Sequence, residues 1–424
     1  MKAILTRLPK GQVARGTLLV LFWQLCRMMT LGVWVIVAAR AFGAHGYGTF
    51  AGVAGLATVT ASLSGMGMGY LLYQQVAIDP DQFHAYWRKA LFAYGVGGVA
   101  LSLILLVVAT AMFPTVGMRL VILIALSDVM AFPFISAAAY AFAAHERMGW
   151  SAALPAGAGV LRLGALMVFV ALVTDPRIET YLWFHVAASV LAAVLALLAV
   201  QKQLAPLRST IALTWNDLRR SAGFSVVWFT NGSLTSWDKA LVLRLAGNEL
   251  SGLYAAAYRF ASLVATPMDA LIMAATPRMF RHGREGGSDQ GLVSAAVASI
   301  IAFGGVAAGM VWLVAPILPW LLGHDFAPST DILRGIALMI PLYGLRQFGG
   351  HVLVTYDRRT ARIVLDACAL CLMTGLGILI IPARGLTGAV DMIVTTEAFL
   401  AVLSWILAFP TIVATSRKTA PISR

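Results

Sequence analysis

Several stretches of the sequence are apolar except for a few ionisable side chains, and these side chains are where its chemistry has to be sought. The basic members are Arg27, Arg162, Lys239, Arg244, Arg259, Arg334 and Arg346, and the acidic members are Asp128, Asp238, Asp269, Asp366, Asp391 and Glu397. A charge at the centre of a membrane-spanning helix costs roughly 2.5–3.5 kcal/mol on insertion scales, so such groups face a polar cavity or a partner rather than lipid. Two kinds of chemistry are then open to them. A guanidinium stays protonated and offers a planar fork of donors that matches phosphate oxygens. A buried carboxylate can be brought to exchange a proton or a cation.

The deep charges fall on polar stripes at helical spacing: Gln24, Arg27 and Thr30; Asn231, Thr235 and Asp238; Arg259, Ser262, Thr266 and Asp269; Tyr343, Gln347 and His351 beside Arg346; and Thr387, Asp391 and Thr395. Such stripes imply a polar interior. They are divided unequally, because the first half sets Arg27 and Arg162 against Asp128 alone, whereas bases and acids balance in the second half. Arg27 and Arg162, with Arg259 from the second half, are therefore candidate anchors for an anionic head group. Asp238, Asp269 and Glu397 are candidates for a network whose protonation changes. The competing interpretation is that these groups form interhelical ion pairs that only fix packing, and packing is the expected role of His185 and His351. Arg244, Arg334 and Asp366 lie close enough to helix ends to reach the interface.

The elements that must position these groups are membrane helices. Of the 424 residues, 60% are hydrophobic and only 12% charged, against about a quarter charged in soluble domains. Apolar stretches long enough for a hydrocarbon core of about 30 Å are expected at about 13–39, 49–71, 90–112, 119–141, 151–173, 180–200, 222–245, 252–276, 292–315, 332–355, 363–381 and 386–409. The expected fold is an all-α polytopic membrane protein of about twelve transmembrane helices, in two six-helix lobes around a central cavity.

The net charge of +13 comes from alternate loops rather than from one surface. Lys2, Arg7, Lys10, Arg15, Arg88, Lys89, Arg147, Lys202, Arg208, Arg219, Arg220, Arg278, Arg281, Arg284, Arg358, Arg359, Arg362, Arg417, Lys418 and Arg424 fall on one side of the expected topology. Only Arg40, Arg119, Arg177 and Arg384 fall on the other. By the positive-inside rule both termini are cytoplasmic, and nucleic acid is not an expected partner. The first stretch is too long for a signal peptide and carries Arg27 near its middle, so it is expected to be retained. Cys26, Cys368 and Cys371 are expected to pack in helices, since no second pair of ligands accompanies the Cys-x-x-Cys spacing. The loops are short and carry no nucleotide-binding, zinc-protease or nucleophile-elbow motif, so no catalytic residue, metal or cofactor is expected.

The longest polar break, about 201–221, divides the chain into 1–205 and 206–424. A weak repeat supports the division. Arg40-x-x-Gly43-x4-Gly48-x-Phe50-Ala51 returns 204 residues later as Arg244-x-x-Gly247-x4-Gly252-x-Tyr254-Ala255. Each copy is expected on a tight outer loop between the first two helices of its half.

Arg40-Ala-Phe-Gly-Ala-His-Gly-Tyr-Gly-Thr-Phe50, continuing to Gly65-Met-Gly-Met-Gly69, resembles the first two helices of polysaccharide flippases. These form a branch of the multidrug, oligosaccharidyl-lipid and polysaccharide exporter superfamily. The region around Asp238, Gly247, Gly252-Leu-Tyr254, Arg259 and Pro277 is similar to their helices 7 and 8. Gly323-His-Asp-Phe326 with Leu333-Arg334 is similar to the loop before their helix 10. The resemblance implies a multi-pass bacterial inner-membrane transporter that flips undecaprenyl-diphosphate-linked oligosaccharide for O-antigen or exopolysaccharide assembly. Its implied partners are that lipid-linked substrate, membrane lipids, a coupling proton or sodium ion and the polysaccharide assembly machinery. Under it, Arg27, Arg162 and Arg259 would meet the diphosphate, and Asp238, Asp269 and Glu397 would serve coupling. Two alternatives stay open: a cation-coupled drug or metabolite exporter of the same superfamily, and a membrane-embedded polysaccharide polymerase.

Overall fold

The computed structural model describes residues 12–205, 213–284, 290–356 and 358–419. The chain ends and part of the 201–221 break, whose side of the membrane the charge bias assigns, lie outside the described residues. The fold is all-α, with no strand among the described residues. In chain order its main helices are α1 (Gln12–Ala61), α2 (Met68–Ile78), α3 (Phe83–Met112), α4 (Met118–Ile124), α5 (Phe132–Ala144), α6 (Met148–Leu172), α7 (Ile178–Leu204) and α8 (Trp215–Ala246). They continue as α9 (Asn248–Arg284), α10 (Gln290–Val314), α11 (Ser329–Ile336), α12 (Met339–Thr355), α13 (Arg359–Arg384) and α14 (Leu386–Thr419). A π-helical turn, Ala125–Ala131, joins α4 to α5. Among the described residues eight helices are long and apolar enough to cross a membrane. The first two expected stretches merge into α1, and the expected stretches 222–245, 252–276 and 332–355 become α8, α9 and α11–α12, which carry three of the polar stripes, the others lying on α1 and α14.

The chain divides into two compact units, one of Met1–Phe42 with Val53–Gly232, the other of Gly43–Gly52 with Ser233–Arg424. The exchange between them therefore falls at 232/233, beyond the polar break, and the second unit takes in a ten-residue segment of α1.

In unit 1 the core is built largely from alanine. Ala90, Ala93, Ala137, Ala138, Ala141, Ala192, Ala193 and Ala196 are buried with Leu71, Leu72, Phe83, Trp87 and Phe142. Between membrane helices association comes from close packing, because lipid is as apolar as leucine, and small side chains let backbones approach. The start of α8 is fixed by reciprocal capping. The Thr214 amide and hydroxyl donate to Asp217 Oδ2 at 3.1 and 2.8 Å, and the Asp217 amide donates to Thr214 Oγ1 at 3.2 Å. Lys89 of α3 adds a 2.9 Å ion pair to the same carboxylate. Burial alone would raise the Asp217 pKa, but the bonds from Lys89 and Thr214 outweigh it and hold the group below the usual carboxylate range.

In unit 2 the repeated glycines meet. Gly43 kinks α1 at φ +64° and its counterpart Gly247, at φ +87°, is the single residue between α8 and α9. The expected outer loops thus shrink to one left-handed glycine each. Five residues further on, Gly48 and Gly252 cross. A Cβ on Gly48 would overlap the Asn248 carbonyl oxygen and the Gly252 nitrogen, and a Cβ on Gly252 would overlap the Ala44 carbonyl oxygen. Ala44 and Asn248 are themselves 204 residues apart, so the crossing is symmetric about the repeat. Ser251 Oγ donates to the Gly48 carbonyl at 3.3 Å and Asn248 Nδ2 to Thr49 Oγ1 at 2.7 Å. Cys26 is half-buried, and Cys368 and Cys371 are exposed rather than packed in a core.

The crossing predicts opposite outcomes for two classes of glycine. Gly48→Ala and Gly252→Ala should each lower the thermal midpoint of the purified protein, with an overpacking cost of about 1–3 kcal/mol or more. Gly95, in α3, has open space where its Cβ would stand, so Gly95→Ala should leave the midpoint unchanged or raise it.

Candidate functional site

Each unit holds buried polar groups, and Arg162 and Asp128 in unit 1 and Asp238, Lys239, Asp269, Arg346, Asp366 and Glu397 in unit 2 belong to them. In unit 1 the centre is Arg162 of α6. Its Nη2 donates to Asp128 Oδ1 at 2.6 Å and to the Ser127 carbonyl at 3.3 Å, and its Nε donates to Ser189 Oγ at 2.9 Å. Ser189 donates in turn to the His185 carbonyl at 2.7 Å. Trp34 Nε1 donates to the Tyr181 hydroxyl at 2.9 Å, which lies 3.1 Å from His185 Nδ1, and His185 Nε2 stands 3.8 Å from Asp128 Oδ1. Asp128 and Ser127 sit in the π-helical turn, a feature common at functional sites. Pro133, two residues past its end, has no amide hydrogen to continue the α-helical ladder.

This network corrects one expectation. The first half is not a set of unpaired cations, since Arg162 is held by Asp128, with its Nη1 left without a partner among the described residues. The cationic excess is Arg27. It is exposed and makes no hydrogen bond or ion pair among the described residues. At 1.5 Å per residue it stands about 14 Å along its apolar span, which begins at Leu18. His185, expected to be a packing residue, is part of the network. The signal was present in the spacing, because Tyr181, His185 and Ser189 are four apart and share one face of α7.

In unit 2 the three acids singled out for coupling lie in two hydrogen-bonded groups, one around Asp238 and one that runs from Glu397 to Asp269. Asp238 is fully buried and accepts from Lys239 Nζ at 2.9 Å (Oδ1) and 3.1 Å (Oδ2) and from the Tyr254 hydroxyl at 2.7 Å. Glu397 accepts from Arg346 Nε at 2.7 Å, and both side chains are only 4–5% exposed. Arg346 Nη1 donates to Gln347 Oε1 at 3.3 Å, and Gln347 Nε2 lies 3.4 Å from the Tyr343 hydroxyl. That hydroxyl donates to Asp269 at 3.1 Å. Glu397 is also within electrostatic range of Asp238. Arg259 is half-buried on α9, against the Tyr47 hydroxyl and near Lys239. Arg362 and Asp366 extend the network at 3.9 Å beside a small cavity that Arg346 and Gln347 also line. Arg27 and Arg162 thus fall in unit 1, and Arg259 and the three acids in unit 2. Tyr254 and Tyr258 are members that the search for charged residues passed over.

Residues 13–282 match the family model described as polysaccharide biosynthesis protein. The chain belongs to that family. No curated protein sequence matches the chain. Solved structures give the fold of this polysaccharide biosynthesis protein. An inward-facing multidrug resistance MATE family transporter of the MOP superfamily aligns over 93% of this chain and 96% of its own, with TM-score 0.77 and 14% identity. The lipid II flippase MurJ, in an inward closed conformation, aligns over 94% and 90% with TM-score 0.74 and 11% identity. A MOP superfamily transporter from Pyrococcus furiosus, described by the reversed polarity of its binding pocket, aligns over 95% and 95% with TM-score 0.60 and 13% identity.

The Arg346–Glu397 pair gives this site a stability signature. Removing one partner of a buried pair leaves an uncompensated charge, at a cost of about 3–5 kcal/mol, whereas neutralising both is far less costly. Glu397→Gln should therefore lower the thermal midpoint of the purified protein more than the double variant Arg346→Met/Glu397→Gln does.

Proposed function

We propose that this polysaccharide biosynthesis protein is a flippase, not an enzyme. In this proposal it moves undecaprenyl-diphosphate-linked oligosaccharide from the cytoplasmic to the periplasmic leaflet of the bacterial inner membrane, for O-antigen or exopolysaccharide assembly. The observation that carries the proposal is Arg27, an unpaired, exposed guanidinium deep in an apolar span. A lone cation at that depth is costly unless an anion meets it during function. A diphosphate diester carries about two negative charges and loses its water as it enters the membrane, a cost that arginine's paired donors offset. Arg27 supplies the first contact, Arg162 the free edge of a guanidinium whose other edge Asp128 orients, and Arg259 a further cation. The family description supports a saccharide-linked cargo over a cationic drug, while the fold is shared with both a lipid II flippase and a multidrug transporter. Asp238, Asp269 and Glu397 couple the movement to a proton or sodium gradient, and the termini lie in the cytoplasm.

Lysine keeps the charge of arginine but loses the bidentate fork. Arg27→Lys should therefore retain part of the surface glycan and Arg27→Ala almost none, with both proteins at wild-type abundance. Lipid-linked oligosaccharide should accumulate on the cytoplasmic face in the alanine variant. Wild-type glycan in Arg27→Ala at normal abundance would refute the role, and equal loss of folded protein in both variants would reassign Arg27 to packing.

A further inference from the structure

Lys239 is a buried lysine, only 3% exposed, whose charge is answered completely. An ammonium group has three donors. In unit 2 they meet the Asp238 carboxylate at 2.9 and 3.1 Å, the Thr235 carbonyl at 2.8 Å and the face of Tyr258, 3.4 Å from the ring centroid. The Tyr254 hydroxyl completes the shell of Asp238 at 2.7 Å. One carboxylate, one carbonyl and one aromatic face are the surroundings that suit a single monovalent cation. A divalent ion would require more anionic oxygens than this shell provides. Adjacent residues on a helix normally point apart, yet Lys239 bends back over its own turn to reach both Asp238 and the carbonyl four residues before it.

We infer that the Asp238 subsite is a monovalent-cation site whose ion is supplied by the chain itself, as the Lys239 ammonium, so that it takes up no sodium or other free cation. This rests on reading Asp238, Asp269 and Glu397 as the coupling network, and it divides the labour within that network. Asp238 is neutralised by Lys239 and Glu397 by Arg346, each through the covalently tethered cation described above. Asp269 is the member whose carboxylate meets the Tyr343 hydroxyl and the Gln347 amide, with the Arg346 guanidinium in electrostatic range, and it has no ion-pair partner among the described residues. Exchange with the medium then belongs to Asp269.

The test is chemical replacement of the tethered ion, read by the thermal midpoint of the purified full-length protein and independent of any transport assay. Lys239→Ala deletes a fragment equivalent to n-propylammonium. The variant should unfold at a lower temperature than the wild type in N-methyl-D-glucamine chloride, a cation too large for the space. Its midpoint should rise by several degrees in n-propylammonium chloride, and by less in sodium chloride, at equal ionic strength. The wild type should show the same midpoint in all three salts, and so should Asp238→Asn/Lys239→Met, which has neither the charge nor its counter-ion. A wild type stabilised specifically by sodium, or a Lys239→Ala protein indifferent to all three cations, would overturn the inference. So would a Lys239→Ala protein that does not fold while the double variant does, because Asp238 would then be unable to recruit a free ion. Failure of both variants would assign the Lys239 stem to packing and would likewise overturn it. Failure of the flippase proposal alone would leave these midpoints unchanged.

Discussion

A charge inside a hydrocarbon span has to be answered by another charge, by a shell of dipoles or by a ligand, and the arrangement of this protein follows from how each of its deep charges is answered. Arg162 is held by Asp128 and two serines, Lys239 by Asp238 and an aromatic face, and Arg346 by Glu397. These pairs are not strong evidence for stability, since desolvation offsets much of the Coulomb attraction. What they do is fix which faces of the helices point inward, because a helix rotated away from its partner would bury an unanswered ion. Arg27 stands outside this pattern, and the proposed function grows from that exception.

A second constraint is steric and has no charge in it. The crossing of Gly48 and Gly252 brings two backbones together where any side chain would intervene, and it pairs positions that the sequence repeat had already related. The repeat is thus more than a trace of duplication. Its first glycine in each copy supplies a left-handed residue that turns the chain, and its second supplies the bare surface on which the other copy rests. Polar bonds from Ser251 and Asn248 then tie the two copies at the same point.

Much of this was legible in the sequence. The length and spacing of apolar runs gave the membrane helices, and the 204-residue repeat marked the glycines that meet. The polar stripes pointed to Asp238, Asp269 and Arg346, and the structure links the last two through Gln347 and Tyr343. Partner choice was not legible. Nothing in the spacing of Arg162 and Asp128, or of Arg346 and Glu397, says that they meet, because a pair 34 or 51 residues apart is decided by which helices pack. Neutral members were missed for a related reason. Tyr181, His185 and Tyr254 carry no fixed charge and read as ordinary core residues until a buried carboxylate is placed beside them. The π-helical turn that carries Asp128 also escaped notice, since Pro133 alone does not distinguish a kink from a widened turn.

The central claim is that the protein moves a lipid-linked anionic saccharide across a bilayer. Purified protein reconstituted into sealed vesicles, with undecaprenyl-diphosphate-linked oligosaccharide confined to one leaflet, tests it without the rest of the assembly machinery. The account predicts that the glycan becomes accessible to a membrane-impermeant glycosidase on the opposite side, at a rate that rises with protein content and falls away with Arg27→Ala protein. Glycan that stays in its original leaflet with the wild-type protein, in vesicles where the same preparation carries a cationic drug across, would contradict it.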